Sequence, residues 1–225
     1  MNINKREPKP KRTILTATDF FSGLLCLTGI LPGLVTYSRL PERIPIHWDI
    51  HNQPDNWAGK PFVVFCMPLL MLLFHLFCCA ADNLFPASAQ THPKAVRKLV
   101  RLLIPIITIA VECVTVMYVL DWFTNVGLAA CCLVGLVFLL LGNYLPKSRP
   151  NATFGIRLPW TLADEDVWRR THRLGGWLFM LGGVAVIVSA FCGAFSLVIA
   201  VLTVVGLTPV IYSYVISRKD RDNPS

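Results

Sequence analysis

Six stretches of about 20 residues in this 225-residue chain contain no lysine or arginine. That is the length an apolar helix needs to cross roughly 30 Å of hydrocarbon. They fall at residues 14–37, 61–81, 102–120, 126–145, 174–193 and 195–216, and Asp19 and Glu112 are the acidic residues inside them. Only 15% of residues are charged and 54% are hydrophobic, whereas a soluble domain carries about a quarter charged residues. The pattern predicts an all-α integral membrane protein with six transmembrane helices. Lys5, Arg6, Lys9, Lys11 and Arg12 precede the first stretch as they would a cleaved signal. Its length, its Asp19 and the lack of an A-x-A site favour an uncleaved span.

The net charge of +8 would suggest nucleic acid in a soluble protein, but its distribution gives a different reading. Five Lys and Arg precede span 1, four lie between spans 2 and 3, six between spans 4 and 5, and three after span 6, eighteen in all on one side. The other side holds Arg39, Arg43 and Lys60. The positive-inside rule therefore predicts a plasma-membrane protein with both termini cytoplasmic. The basic excess then marks orientation and contact with anionic lipid, and no direct nucleic-acid partner is expected.

All eight cysteines lie in the apolar spans without a C-x-x-C, so they read as small hydrophobes, with no metal or cofactor expected. Asn151-Ala-Thr153 matches a glycosylation pattern on the predicted cytoplasmic side, where it is incidental. The sequence contains no phosphate loop, G-x-S-x-G or H-E-x-x-H, and no enzyme is expected.

Two loops break the apolar pattern. In the outer loop, residues 38–60, Ile44, Ile46, Trp48 and Ile50 alternate with Pro45, His47, Asp49 and His51, the period of a half-buried strand. Asn52-Gln53-Pro54-Asp55 supplies one turn and Asp55-Asn56-Trp57-Ala58-Gly59 a second. Trp48 and Trp57 suit the headgroup level. His47, Asp49 and His51 would share a strand face, but residues two apart lie roughly 6.6 Å apart, so a shared metal would require a bend. In the inner loop, residues 146–173, Thr161-Leu-Ala-Asp164 resembles a capping box, with Glu165 and Asp166 in the first turn of a helix running into span 5. That start reads either as an interface anchor or as a binding surface.

Among polar residues within spans, Glu112 is the deepest, where a charge costs at least about 2.5–3.5 kcal/mol. Asp19 and His75 each lie roughly 8–9 Å from the inner end of their spans, so they are expected to hydrogen-bond to each other. Gly29-Ile-Leu-Pro-Gly33 in span 1 predicts a close helix contact with a proline kink.

The segment Gly142-Asn143-Tyr144-Leu145-Pro146-Lys147, then Asn151, Gly155-Ile156-Arg157-Leu158-Pro159-Trp160-Thr161-Leu162, and Val167-Trp168-Arg169-Arg170-Thr171-His172-Arg173-Leu174-Gly175-Gly176 resembles the SdpI family of bacterial multipass membrane proteins. Leu40-Pro41-Glu42-Arg43-Ile44-Pro45-Ile46-His47-Trp48 with Pro54-Asp55 and Trp57 resembles the uncharacterised N-terminal domain commonly joined to such proteins. The resemblance implies immunity to a secreted, membrane-active peptide toxin, with a cytoplasmic transcriptional repressor as a further partner. It implies that Asn143, Pro146, Lys147, Asn151, Gly155, Arg157, Pro159, Trp160, Thr161, Trp168, Thr171, His172, Arg173 and Gly175 form the inner partner site. Pro41, Pro45, His47, Trp48, Asp49, Pro54, Asp55 and Trp57 would then meet toxin outside. Arg157 is read either as a ligand for carboxylates or phosphates or as a local ion pair with Asp164 or Glu165.

The organisation expected is a basic tail (1–13), a two-helix unit (14–101), a four-helix unit (102–216) and a second tail (217–225). A small proton-coupled transporter using Glu112, His75 and Asp19 is the alternative function.

Overall fold

The computed structural model describes residues 14–84, 94–151 and 154–222. The tail 1–13, the end of the C-terminal tail and Ala152-Thr153 of the glycosylation-like triplet lie outside the described residues. Six helices are long and apolar enough to cross a membrane: Ala17–Val35, Phe62–Leu84, Arg97–Val119, Val126–Lys147, Glu165–Phe191 and Phe195–Lys219. The bulk of their surface is apolar and exposed, including Phe20, Phe21, Phe77, Leu181, Phe191 and Ile211, as helices facing lipid should be.

The first span is two helical pieces, Ala17–Leu27 and Ile30–Val35. The break falls at Thr28 and Gly29, and Pro32, four residues after Thr28, has no N–H to donate to the Thr28 carbonyl. Thr16 caps the first piece reciprocally with Asp19, which satisfies two of the orphan amides at a helix start. Span 2 opens on one wide turn, Phe62–Cys66, that carries Val63 and Val64 into a cluster with Leu40, Ile44 and Val116.

Packing groups the helices three and three. Spans 1, 2 and 3 contact one another, span 4 packs extensively along span 5 and span 5 along span 6, and spans 3 and 4 meet about as closely as spans 2 and 3 do. The helix from Lys94 to Val119 contacts spans 1, 2 and 4. The pairing of spans 4 and 5 depends on small residues. A β-carbon on Gly135 would come within 2.7 Å of the Gly183 carbonyl, and one on Gly142 within 2.8 Å of the Gly176 carbonyl. Such crossings bring backbones together and replace the hydrophobic driving force that lipid removes.

Between spans 1 and 2 the chain forms a two-stranded antiparallel hairpin, β1 (Arg43–Trp48) and β2 (Pro54–Gly59). This corrects the reading of Asp55–Gly59 as a turn. It also corrects the strict alternation, since Pro45 pairs with Trp57 and His47 with Asn56, which leaves Ile46 without an opposite residue. That bulge lets Ile44 and Pro45 both be buried, because an inserted residue rotates the strand's faces.

Candidate functional site

On the hairpin side, β1 ends at Trp48, and Asp49 makes the turn. Its carboxylate accepts the amides of His51 at 2.9 Å and Gln53 at 2.8 Å. The Gln53 amide first, then that of His51, holds the Asp49 carboxyl below its ordinary value. His47, Asp49 and His51 therefore do not form one strand face. His47 instead bonds Asp55 through Nδ1 at 2.6 Å, across the hairpin. No cluster of three or more His, Cys, Asp or Glu converges among the described residues.

Asn52 stands at the hairpin tip with φ of 60°, a conformation asparagine tolerates better than most residues. Its Nδ2 donates to the Thr124 carbonyl at 2.9 Å, and its Oδ1 accepts the Gly127 amide at 2.7 Å. The tip is thereby fastened to the connection between spans 3 and 4. Trp48 meets Tyr118 of span 3 edge-on, ring centres 5.2 Å apart. Between these two attachments lies a cleft of about 650 Å³. Pro41, Arg43, Pro45 and Trp57 of the hairpin line one wall, with Tyr118, Asp121, Asn125 and Phe195 on the other. Pro41, Pro45 and Trp57 of the outer-loop residues singled out from sequence line it. His47, Asp49 and Asp55 are exposed on the hairpin, and Pro54 is half-buried in β2. The cleft's far wall had no sequence signal, since it comes from segments distant in the chain.

On the opposite, basic side, the segment from Pro146 to Arg173 is a folded plug. Asn151 ties its turn, donating to the carbonyls of Arg149 and Phe154 and accepting the Phe154 amide at 2.7 Å. His172 is fully buried, accepting the Ile156 amide on Nε2 at 2.8 Å and bonding the Trp168 carbonyl through Nδ1 at 2.8 Å. Because Nε2 accepts, Nδ1 carries the proton and the ring is neutral. Trp168 stacks on it at 3.9 Å and donates from Nε1 to the Ser148 carbonyl. Thr161 is also fully buried and bonds Ile156 and Leu158. It therefore does not cap span 5. Asp164 does, accepting the amides of Asp166 and Val167, which supplies an acceptor to otherwise unpaired first-turn donors.

The inner-loop residues thus divide. Asn151, Thr161, Trp168, Thr171, His172 and Gly175 are buried, and Asn151, Thr161, Trp168 and His172 hydrogen-bond within the plug. Trp160 anchors it to span 6 by donating to Ser213 Oγ at 2.9 Å. Asn143, Pro146, Lys147, Gly155, Arg157, Pro159 and Arg173 reach the surface. Arg157 makes no ion pair with Asp164 or Glu165 among the described residues. The Asp164 carboxylate is engaged as a cap, and the basic residues that meet an acid here are Arg169 and Arg170, both on Asp166.

Within the spans, Asp19 and His75 are both fully buried but do not bond each other through their side chains. Asp19 is met by Arg101 Nε at 2.6 Å, by Asn83 Nδ2 at 2.8 Å and by the Thr16 hydroxyl at 2.7 Å. His75 instead bonds Ser22 Oγ at 2.9 Å. The carboxylate prefers a permanent cation to an imidazole that would have to be protonated in an apolar setting. Arg101 escaped the sequence reading because it lies one residue before the expected start of span 3. Its spacing of four from Arg97, which puts both on one helix face, was the available clue. Glu112, 2% exposed, lies against Gly29 at the break in span 1 and meets no cation among the described residues.

Six apolar helices capped by a hairpin on one side and a plug on the other make this a multipass membrane protein. Residues 147–213 match the model of the SdpI/YfhL protein family, and residues 24–72 match a domain of unknown function (DUF1648). The chain is 28% identical over 182 residues to the immunity protein SdpI of Bacillus subtilis (strain 168), covering 80% of this chain and 85% of that protein. It is also 33% identical over 48 residues to the uncharacterized membrane protein YbgB of the same organism, covering 21% of this chain and 53% of that one. No solved structure matches.

Proposed function

We propose that this protein gives its cell immunity to a secreted, membrane-active peptide toxin. In this reading the hairpin faces outward, both termini are cytoplasmic, and the exposed cations Arg157 and Arg173 of the plug face a cytoplasmic repressor. Similarity to an immunity protein along most of both chains supports it. The observation that carries it is the cleft beneath the hairpin, where Trp57, Tyr118 and Phe195 offer apolar contact beside Arg43 and Asp121. Aromatic surface with a few charges is what a peptide chain binds. A transport role for Asp19 and His75 is disfavoured, since both are engaged in packing the first three spans.

The test is protection of a toxin-sensitive host. Trp57→Ala with Asp121→Ala should abolish protection while membrane abundance is unchanged. Arg157→Ala with Arg173→Ala should leave protection intact and abolish a repressor-controlled reporter response. Fusions that place the hairpin in the cytoplasm, or full protection by the cleft variant, would overturn the reading.

A further inference from the structure

We propose that the protein carries a binding site for one anionic phospholipid at the seam between its two halves. Span 4 presents its Gly135 and Gly142 face to span 5, and its contact with span 3 is much smaller than its contact with span 5. The gap is a groove of about 430 Å³ with walls of Leu102, Ile106, Leu136 and Leu140, among others, and with Lys98 and Tyr144 at its mouth. Nothing polar lies deeper in it than those two residues.

Three observations identify the occupant. The first is depth. From Tyr144 to Leu133 along span 4 is about 16 Å at 1.5 Å per residue, close to half of the roughly 30 Å hydrocarbon core. The groove is therefore one leaflet deep, the length of an acyl chain and not of a transmembrane helix.

The second is charge at the mouth. Lys98 is exposed, and Lys147 Nζ sits 4.9 Å from the centre of the Tyr144 ring, bonding Asn143 at 3.2 Å. Neither lysine pairs with a carboxylate among the described residues. Arg101, one helical turn deeper than Lys98, is turned away onto Asp19. Two ammonium groups at the headgroup level and an alkyl-lined slot below them fit a lipid phosphate with its chain.

The third is position. A lipid here would lie where spans 3 and 4 otherwise leave a gap, so it would join the halves carrying the hairpin and the plug.

Native mass spectrometry of the full chain, released from nanodiscs of equal parts phosphatidylglycerol and phosphatidylcholine, tests this. Wild type should retain one phosphatidylglycerol over phosphatidylcholine by about tenfold or more, from two lysine contacts. Lys98→Gln with Lys147→Gln should bring that ratio to about one, while Lys219→Gln leaves it unchanged. Leu136→Trp, which fills the slot, should remove both lipids. The lysine variant keeps the apolar walls, so it decides the question if the tryptophan variant does not fold. Equal retention of the two lipids by wild type, a preference that survives loss of both lysines, or a lipid-free dimer in which a second copy covers the groove would each overturn the proposal.

Discussion

Arg101 Nε stands 2.6 Å from Asp19 Oδ1, joining the beginning of the first span to the third in a fully buried position for the carboxylate. Removing one member of such a pair strands the other in an apolar setting. Arg101→Met should destabilise the protein by about 3–5 kcal/mol, whereas Asp19→Asn combined with Arg101→Met should cost clearly less. Thermal unfolding in detergent, read as a double-mutant cycle, checks this. Additive losses would show that the two do not act as a pair.

Gly155 holds φ at 120°, and a β-carbon there would come within 2.3 Å of His172 Nε2. Gly155→Ala therefore carries backbone strain and a steric conflict with a buried imidazole, together about 2–4 kcal/mol. Adding His172→Ala removes the conflict but not the strain, so it should not restore wild-type stability. Protease sensitivity at the plug in membrane vesicles reports the effect.

Asn52 fastens the hairpin tip by donating to the Thr124 carbonyl and accepting the Gly127 amide. Asn52→Gly keeps the backbone conformation and loses both bonds, for about 1–3 kcal/mol. Hydrogen exchange should rise in the hairpin and in the connection between spans 3 and 4. The plug should be unaffected.

The turn around Asp49 should be sensitive to acid. The folded carboxyl lies below its unfolded value of 3.8 because the Gln53 and His51 amides bond the charged form. Its stabilisation is therefore complete above that value and declines as pH falls through the lower, folded one. Fluorescence of Trp48 and Trp57 should change below about pH 4. Asp49→Asn should abolish the pH dependence.

Much of the architecture was legible because its causes are local. Charge-free length gives a span wherever it occurs, and each of the six helices covers its apolar stretch to within a few residues, with those of spans 3, 5 and 6 running on into the polar flanks. The helix of span 5 starts at Glu165, as its acidic first turn predicts, with Asp164 as its cap. The hairpin was half legible. The strand carrying Ile44 has the right residues, but β2 contains Pro54, Asp55, Asn56 and Gly59, which favour turns locally. It becomes a strand through pairing with β1. The plug residues drew attention as a group, yet sequence could not sort buried from exposed ones, because that depends on where Trp168 and His172 point after the chain turns at Gly155.

The sequence by itself determined that this chain spans a membrane six times and that its cations gather on one side, since hydrocarbon thickness and charge placement depend on nothing remote. Tertiary structure decided which polar groups meet. Asp19 takes Arg101 in place of His75, Asn52 reaches Gly127, and Trp160 reaches Ser213. A buried carboxylate, amide or indole must be satisfied by whatever donor or acceptor the packing of distant helices delivers, and spacing along the chain does not encode that choice.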